Sequence, residues 1–300
     1  MAQSTDSNVV DAPLDEPKPP FPKQHQDAPG LESKLDPKPR YEAAQYKPAG
    51  KLEGLATVVT GGDSGIGRAV AVLFAREGAD VAIGYLPEEQ SDAMETKAAV
   101  ERAGRRCLLM PGDLRDPGYC NNLIDEAARE FGRLDVLVSN AAHQARKTLE
   151  ELTDEELVKT FETNFYAYVR LTRSALRHMK PGASIIVTSS ETGILGSKQL
   201  PDYSATKGAI NAFTKTMSMQ LVDRKIRINA VAPGPVWTPL NPSDSGADEE
   251  KVSTFGSTNP MKRPAQPEEL APAYVFLASN ADSSYITGIV LEVMGGETTG

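Results

Sequence analysis

Two side chains in the segment DYSATKGA are spaced so that together they could move a proton. Tyr203 and Lys207 are four residues apart, which on a helix places them on one face, one turn apart. The ordinary pKa of a tyrosine phenol is near ~10, too high for a proton relay at neutral pH. Because a neighbouring ammonium stabilises the phenolate, we expect Lys207 to lower the pKa of Tyr203 and to reach the ribose of a bound nucleotide. The same spacing also occurs by chance in many helices.

Two more polar residues precede this pair in the chain. Ser190 follows the apolar run SIIVTS, where its hydroxyl could hydrogen-bond a substrate oxygen. Asn164 lies in the helical stretch ETNFYAY, although asparagine is a poor helix former, and it could hold a water that resupplies protons. Each also has a structural interpretation: Ser189 and Ser190 as polar strand-end groups, and Asn164 as a core amide with satisfied hydrogen bonds.

A glycine-rich turn, TGGDSGIGR, follows the first apolar run. Gly61, Gly65 and Gly67 let the backbone approach a pyrophosphate, and the helix that follows offers free N–H groups to it. A glycine cluster alone can be a tight turn and no more. Its position between the first strand and the first helix of a βαβ unit favours dinucleotide binding.

The residues that follow the second strand indicate which dinucleotide is bound. An acidic residue there would hold the ribose hydroxyls and repel a 2′-phosphate, but the chain has Gly84, Tyr85 and Leu86. Glu88 and Glu89 are predicted to lie farther on, in the next helix. No arginine clearly favours a 2′-phosphate either, so the sequence favours NADP(H) over NAD(H) without excluding the latter.

Two later strand ends also contain candidate cofactor contacts. Asp113 could accept a hydrogen bond from the adenine amino group or cap the following helix. Asn140, Ala141 and Ala142 end the fourth strand, where small residues let a cofactor pass close to the backbone. Tight packing between strand and helix would explain them equally well.

The elements that must position these residues alternate regularly between strand and helix. Because the strands are continuous apolar runs, both faces of the sheet should be covered. We predict a single Rossmann-like α/β domain with a doubly wound parallel sheet of about seven strands. Predicted strands are 55–60, 80–85, 106–111, 134–140, 184–190, 227–234 and 289–293; predicted helices are 65–77, 88–103, 116–132, 153–178, 203–222 and 267–279.

The first 50 residues have a different composition, rich in proline and poor in aliphatic residues. We therefore divide the chain into an extension, 1–50, and a domain, 51–300. Residues 1–20 are expected to be disordered. Residues 21–50 could be disordered or form an extended arm on the folded surface, with anchors at Phe21, Leu31, Leu35, Tyr41 and Tyr46.

Composition excludes several other functions. The net charge of −9 opposes binding to nucleic acid or to an anionic membrane. The chain has no apolar run of membrane-spanning length and no basic-then-apolar leader. Two cysteines and three histidines make neither a disulfide framework nor a zinc site, so no metal is expected. We expect a cytoplasmic protein.

Taken together, these motifs resemble the short-chain dehydrogenase/reductase family. TGGDSGIGR, GDL, SNAA, the helical asparagine, the SS…YSATK segment and VAPGPVWT occur in the family's order, over roughly residues 50–296. The closest resemblance is to bacterial aldehyde/ketone reductases and to glucose/ribitol-dehydrogenase-like proteins, which share the proline-rich extension. The resemblance implies an NAD(P)(H)-dependent oxidoreductase that is a homotetramer.

The resemblance also implies roles for individual residues. Tyr203 would be the general acid/base, Lys207 its pKa modifier and a ribose contact, Ser190 the donor to the substrate oxygen, and Asn164 the anchor of a proton-relay water. The implied cofactor contacts include Tyr85, Tyr203 and Lys207. The others are Gly61, Ser64, Ile66 and Gly67 at the pyrophosphate, Asp113 and Leu114 at the adenine, Asn140 and Ala141 at the adenosine ribose, and Pro233, Gly234, Val236 and Thr238 at the nicotinamide. The family often has a basic residue in the glycine turn when it prefers NADP, whereas this chain has Asp63 and Ser64.

Residues that follow the strand ends should form the substrate side. We expect His143, Gln144, Glu191, Thr192 and Trp237 to join Ser190 there, with His143 as a contact rather than a base. Residues 238–263 take the place of the family's mobile lid, and their polarity suits a small carbonyl or hydroxylated substrate. The alternative function is a nucleotide-binding sensor or interaction protein acting through the N-terminal extension.

Overall fold

A computed structural model describes residues 16–298, and within them seven strands form one parallel sheet. Its order is β3-β2-β1-β4-β5-β6-β7, and every residue of β1, β2, β4, β5 and β6 is buried, as expected for a sheet covered on both faces. The predicted fold class is confirmed. The strands are β1 (Ala56–Thr60), β2 (Asp80–Tyr85), β3 (Cys107–Pro111), β4 (Val136–Ser139), β5 (Ser184–Thr188), β6 (Arg227–Pro233) and β7 (Val290–Val293).

Helices cover the two faces of this sheet in separate layers. One core cluster joins the sheet to α1, α2 and α9, and the second joins it to α3, α5 and α7. The helices are α1 (Gly65–Arg76), α2 (Gln90–Arg102), α3 (Pro117–Phe131), α4 (Asp154–Phe161), α5 (Ala167–Ala175), α6 (Thr192–Leu195), α7 (Pro201–Leu221), α8 (Glu249–Ser253), α9 (Pro267–Ala278) and α10 (Asn280–Ser283).

Local sequence explains where several helices begin and end. The side chain of Asp116 accepts a hydrogen bond from Gly118 N at 2.7 Å and so caps the start of α3. Gly132, with a φ of 75°, terminates the helix after Phe131. The capping role considered for Asp113 therefore belongs to Asp116. Thr153 and Glu156 form a capping box at the start of α4.

The order of the strands indicates where a ligand would bind. β1 pairs with β2 on one side and with β4 on the other, so the connections leave β1 and β4 in opposite directions. In such sheets ligands bind beyond the carboxyl ends of the strands at this point of reversal. The glycine-rich turn follows β1 directly.

The long helix predicted over 153–178 is divided. A π-helical turn, Glu162–Tyr166, separates α4 from α5 and contains Asn164. Wider turns of this kind are rare and occur often at functional sites. Apolar periodicity continues through the turn, which is why the sequence pattern did not reveal it.

The described part of the extension, 16–50, packs on the domain. Its one regular element is a short 3-10 turn, Glu32–Lys34. Phe21 and Leu35 are buried with Trp237, and the Arg68 guanidinium lies 5.1 Å from the centre of the Tyr41 ring. Of the predicted tail, residues 1–15 lie outside the described residues.

The helices between residues 16 and 298 include none long and apolar enough to cross a membrane.

Candidate active site

A pocket of about 550 Å³ lies beyond the carboxyl ends of the strands. It extends from the end of β2, past the glycine-rich turn, to the face of α7 that contains the Tyr–Lys pair. Its walls include most of the predicted site residues: Gly61, Ser64, Ile66, Tyr85, Asp113, Leu114, Asn140, Ala141, His143, Gln144, Ser190, Glu191, Thr192, Tyr203, Lys207, Pro233, Gly234, Val236 and Thr238. Gly67, Asn164 and Trp237 are not among them.

The glycine-rich turn needs its glycines for two different reasons. Gly61 has a φ of 61°, and a Cβ there would lie 3.0 Å from Ala141 Cα. Gly67 lets α1 pack on the turn, because a Cβ at this position would lie 1.8 Å from the Gly61 carbonyl oxygen. Gly67 therefore shapes the wall from behind and does not line the pocket.

The pocket wall at the end of β2 is acidic, contrary to expectation. Glu88 and Glu89 belong to a short 3-10 turn, Pro87–Glu89, and both line the pocket together with Asp63. Burial raises the pKa of Asp63 to about 6 and that of Glu89 to about 8. Asp63 Oδ2 is buried without a hydrogen-bond partner. The prediction that both glutamates lie farther on in the next helix is wrong, because the helix starts later, at Gln90.

The remaining predicted residues of the cofactor end have defined partners. Hydrogen bonds from Arg115 hold the pKa of Asp113 below its ordinary value. Asn140 joins three strand ends: its backbone N donates to Thr60 Oγ1 at 2.9 Å, and its Oδ1 accepts from Thr188 Oγ1 at 3.0 Å. The side chain of Asn140 thereby fixes the floor of the pocket beside the glycine-rich turn.

Tyr203 and Lys207 lie on one face of α7, as their spacing predicts. Lys207 Nζ donates to the Thr188 carbonyl at 2.7 Å and lies 5.2 Å from the centre of the Tyr203 ring. Only 1% of Lys207 is exposed. The ammonium is therefore held between the end of β5 and the ring face.

The predicted lowering of the Tyr203 pKa is wrong for this arrangement. Burial raises the pKa of Tyr203 to about 12, although a hydrogen bond with Ser190 lowers it in part. Burial also lowers the pKa of Lys207 to about 7. The physical reason is that both groups are removed from water, while the ammonium is directed at the Thr188 carbonyl and not at the phenol oxygen.

Ser190 is held beside the phenol. Its Oγ accepts hydrogen bonds from Thr192 N and Thr192 Oγ1, both at 3.1 Å, and it also hydrogen-bonds Tyr203. The preceding residue differs: Ser189 also lines the pocket, but its Oγ donates to Asn211 Oδ1 at 2.6 Å. Ser190 is thus the hydroxyl of the serine pair that lies beside Tyr203; its contact with a substrate oxygen stays a prediction.

Asn164 occupies a position behind the pocket wall. Its Oδ1 accepts from His143 N at 2.7 Å, and its Nδ2 donates to His143 O at 2.9 Å and to Thr206 Oγ1 at 3.2 Å. The side chain therefore joins the loop after β4 to α7. The role in a proton relay stays a prediction.

The substrate side combines neutral and acidic groups. Burial lowers the pKa of His143 to about 4, so its ring is uncharged near neutral pH. Gln144 Nε2 donates to Asp244 Oδ2 at 3.0 Å, which links the wall to residues 238–255. Burial raises the pKa of Glu191, next to Tyr203, to about 7.

Trp237 does not face the substrate space. Its side chain is 0% exposed, its ring centre lies 4.4 Å from that of Phe21, and Nε1 donates to the Pro37 carbonyl at 2.7 Å. The prediction for Trp237 is wrong because the extension supplies an apolar partner that turns the indole away from the pocket.

Sequence reasoning missed two groups that shape the site. Asp244, fully buried, accepts from Arg146 N at 2.8 Å and anchors residues 238–255 to the wall. Glu32 of the extension bonds the glycine-rich turn and Arg68. The sequence contained only an indirect signal for Glu32: Arg68 lies in an apolar helix, and a buried arginine needs a carboxylate partner.

Comparison with known proteins shows the family. The family described as enoyl-(acyl carrier protein) reductase matches residues 61–298. An uncharacterized oxidoreductase of Bacillus subtilis, YhxC, is 51% identical over 278 residues, which cover 92% of this chain and 95% of that protein.

Two plant relatives have more specific names. The chloroplastic NADPH-dependent aldehyde reductase 1 of Arabidopsis thaliana is 47% identical over 280 residues, covering 91% of this chain and 96% of that protein. The glucose and ribitol dehydrogenase of Daucus carota is 48% identical over 283 residues, covering 92% and 96%.

Solved structures agree with the sequence relatives. A short-chain dehydrogenase from Burkholderia cenocepacia in complex with NADP superimposes with a TM-score of 0.76 at 30% identity, covering 82% of this chain and 98% of that one. A metagenomic blue fluorescent protein in complex with NADPH has a TM-score of 0.75 at 29% identity, with the same coverage. This chain therefore belongs to the short-chain dehydrogenase/reductase family and is an oxidoreductase.

Proposed function

We propose that the protein transfers a hydride between a nicotinamide nucleotide and a small aldehyde or ketone, or the corresponding alcohol. One observation carries the proposal: a single pocket joins the glycine-rich turn to a buried phenol, an amine and a hydroxyl. Ser190, Tyr203 and Lys207 are the residues that we propose act on the substrate or cofactor.

The chain's residues fit a dinucleotide. The first turn of α1 presents N–H groups that have no acceptor within the helix. The absence of a Cβ at Gly61 lets the glycine-rich turn pack closely against Ala141, and the turn lines the pocket at Gly61, Ser64 and Ile66. Asn140 would contact the adenosine ribose, Lys207 the nicotinamide ribose, and Pro233 and Gly234 the nicotinamide ring. When bound, the nicotinamide supplies or accepts the hydride.

Three side chains would handle the proton that accompanies the hydride. In reduction, Ser190 positions the substrate oxygen, and Tyr203 donates its phenolic proton to that oxygen. Lys207, whose Nζ lies 5.2 Å from the centre of the Tyr203 ring, would then stabilise the phenolate when the amine is protonated. Asn164 holds the His143 loop against α7 and keeps the phenol aligned with the pocket.

The pocket's polarity supports a hydroxylated substrate. Gln144, Glu191 and Thr192 line the same pocket as Ser190 and Tyr203, and the lining also includes Asn241 and Ser243 from residues 238–255. The names of the plant relatives, an aldehyde reductase and a glucose and ribitol dehydrogenase, point the same way. Sugars and polyols are therefore the first candidates among the alcohols.

Some observations support NADP(H) as the cofactor and others support NAD(H). The NADPH-dependent relative and the neighbours with bound NADP or NADPH support the predicted NADP(H). The carboxylates of Asp63 and Glu88 favour the neutral ribose hydroxyls of NAD(H), because they would repel a 2′-phosphate. Burial raises the pKa of Glu89 to about 8, so this third acidic group is mostly uncharged at neutral pH. Direct binding of both cofactors to the same preparation decides between the two candidates.

Nicotinamide absorbance during turnover tests the reaction. The purified protein is mixed with NADPH or NADH and a panel of aldehydes, ketones and aldoses, and in the reverse direction with NADP⁺ or NAD⁺ and polyols. We expect turnover of at least one pair. Tight cofactor binding without any turnover would instead support the alternative, a nucleotide-binding sensor, which the comparisons do not support. The homotetramer stays a prediction that sedimentation can test.

A further inference from the structure

A buried ion network joins the N-terminal extension to the glycine-rich turn. Glu32 Oε1 pairs with Arg68 Nη1 at 2.8 Å, and Glu32 Oε2 accepts from Gly65 N at 2.5 Å. Only 3% of Glu32 and 1% of Arg68 are exposed. An extension that merely covered the surface would not need a carboxylate at this depth.

The other N–H donors of Arg68 bond the glycine-rich turn and α2. Its Nε donates to Asp63 O at 2.7 Å, and its Nη2 donates to Asp92 O at 2.9 Å. The Asp92 carboxylate in turn accepts from Glu32 N at 2.6 Å. The turn, α2 and the extension are therefore held by one network of charged hydrogen bonds.

The same stretch of the extension reaches the pocket itself. Ala28 and Pro29 line the pocket, and Pro29 O accepts from Ser243 Oγ at 3.0 Å. Gln26 N donates to Pro242 O at 3.0 Å. Residues 26–32 therefore contact both the start of α1, through Glu32, and residues 238–255, through Gln26 and Pro29.

We propose that Glu32 is a positioning residue for cofactor binding, contributed by a segment outside the matched family region, 61–298. This inference rests on the proposed function. By accepting the Gly65 N–H, Glu32 fixes the start of α1, where the φ of Gly65 is 51°. It thereby aims Ser64 and the N–H of Ile66 at the phosphate position, while Arg68 holds the carboxylate in place.

Substitutions in the full-length chain test the role. Glu32→Ala removes both contacts, and Glu32→Gln keeps an oxygen that can accept from Gly65 N–H. Glu42→Gln is the matched control: this carboxylate also belongs to the extension and pairs with Arg102 at 3.2 Å, but its side chain is 66% exposed. Burial raises the pKa of Glu32 to about 7 against the effect of Arg68, so binding is measured at pH 8.

The readouts are the dissociation constants of NADH and NADPH, measured by fluorescence titration well below the melting temperature, and steady-state kinetics. We expect Glu32→Ala to weaken both cofactors about tenfold or more, and Glu32→Gln to weaken them less. The KM for the cofactor should rise while kcat at saturating cofactor stays within about twofold. Glu42→Gln should leave every value unchanged.

Two results would overturn the inference in different ways. Wild-type affinity in folded Glu32→Ala and Glu32→Gln, together with a lower melting temperature, means that Glu32 only stabilises the fold; the proposed function then stands. Failure of the wild-type protein to bind either cofactor removes the proposed function as well. If Glu32→Ala does not fold, Glu32→Gln alone decides, because it preserves size and one acceptor.

Discussion

Replacing Lys207 by Met should stabilise the protein near neutral pH while abolishing turnover. The lysine is 1% exposed, and burial lowers its pKa from 10.5 to about 7. In the unfolded chain the amine returns to its ordinary pKa. The folded state therefore binds this proton less tightly than the unfolded state does.

The sign and size of the change in unfolding free energy follow from this difference in pKa between the folded and unfolded states. As pH falls from 10.5 to 7 the unfolded chain gains a proton that the folded chain lacks, so the wild type loses about 1.4 kcal/mol per pH unit. Below pH 7 the full cost is about 5 kcal/mol. Met avoids this cost but leaves the Thr188 carbonyl without its donor, which costs about 1–3 kcal/mol. The variant should be more stable by roughly 2 kcal/mol at pH 7 and less stable near pH 10.5.

Urea unfolding of both proteins between about pH 7.5 and 9.5 tests this reasoning, because groups common to both proteins cancel in the difference. The free-energy difference should change by about 3 kcal/mol in favour of the wild type across that range. Lys215→Met, on the exposed part of the same helix, is the matched control and should give a constant difference. A constant difference for Lys207→Met as well would refute the conclusion that burial depresses the pKa of this amine.

Two further predictions concern the extension and the cofactor end. Phe21→Ala removes the ring that packs on Trp237 and should lower the free energy of unfolding by about 3 kcal/mol in urea titrations. The substitution should also raise the substrate KM, because residues 238–255 lose an anchor. An unchanged unfolding free energy and an unchanged KM would show that this contact is unimportant. Asp63→Asn removes a buried carboxylate from the pocket wall and should increase affinity for NADPH relative to NADH at least threefold in competition titrations. If the substitution leaves the ratio of the two affinities unchanged, Asp63 does not repel the 2′-phosphate.

The regular elements were predictable because their patterns are local. Strand runs such as DVAIGY are apolar throughout, as strands covered on both faces must be, and β2 has the predicted bounds. Most of the pocket wall was predictable for a related reason: in a parallel sheet the residues after the strands meet at one edge. Ser190 and Tyr203 are brought together in this way.

The errors concern contacts between distant parts of the chain. Trp237 follows a strand end as a pocket residue would, but Phe21, far away in sequence, supplies its partner. Glu88 lies on the pocket wall because α2 begins at Gln90, two residues later than predicted. Helix boundaries are commonly uncertain by one or two residues. The pKa of Tyr203 could not be predicted from its spacing to Lys207, because burial outweighs the nearby charge.

The most direct test of the whole account is the proton donor. Tyr203→Phe removes only the phenolic oxygen and should reduce kcat by about 10²–10⁴-fold with whichever substrate the wild type reduces. Dissociation constants for NADPH and NADH should stay within about threefold of the wild type, since the ring remains packed. Full activity in the Phe variant would contradict the assignment of Tyr203 as the acid that completes hydride transfer.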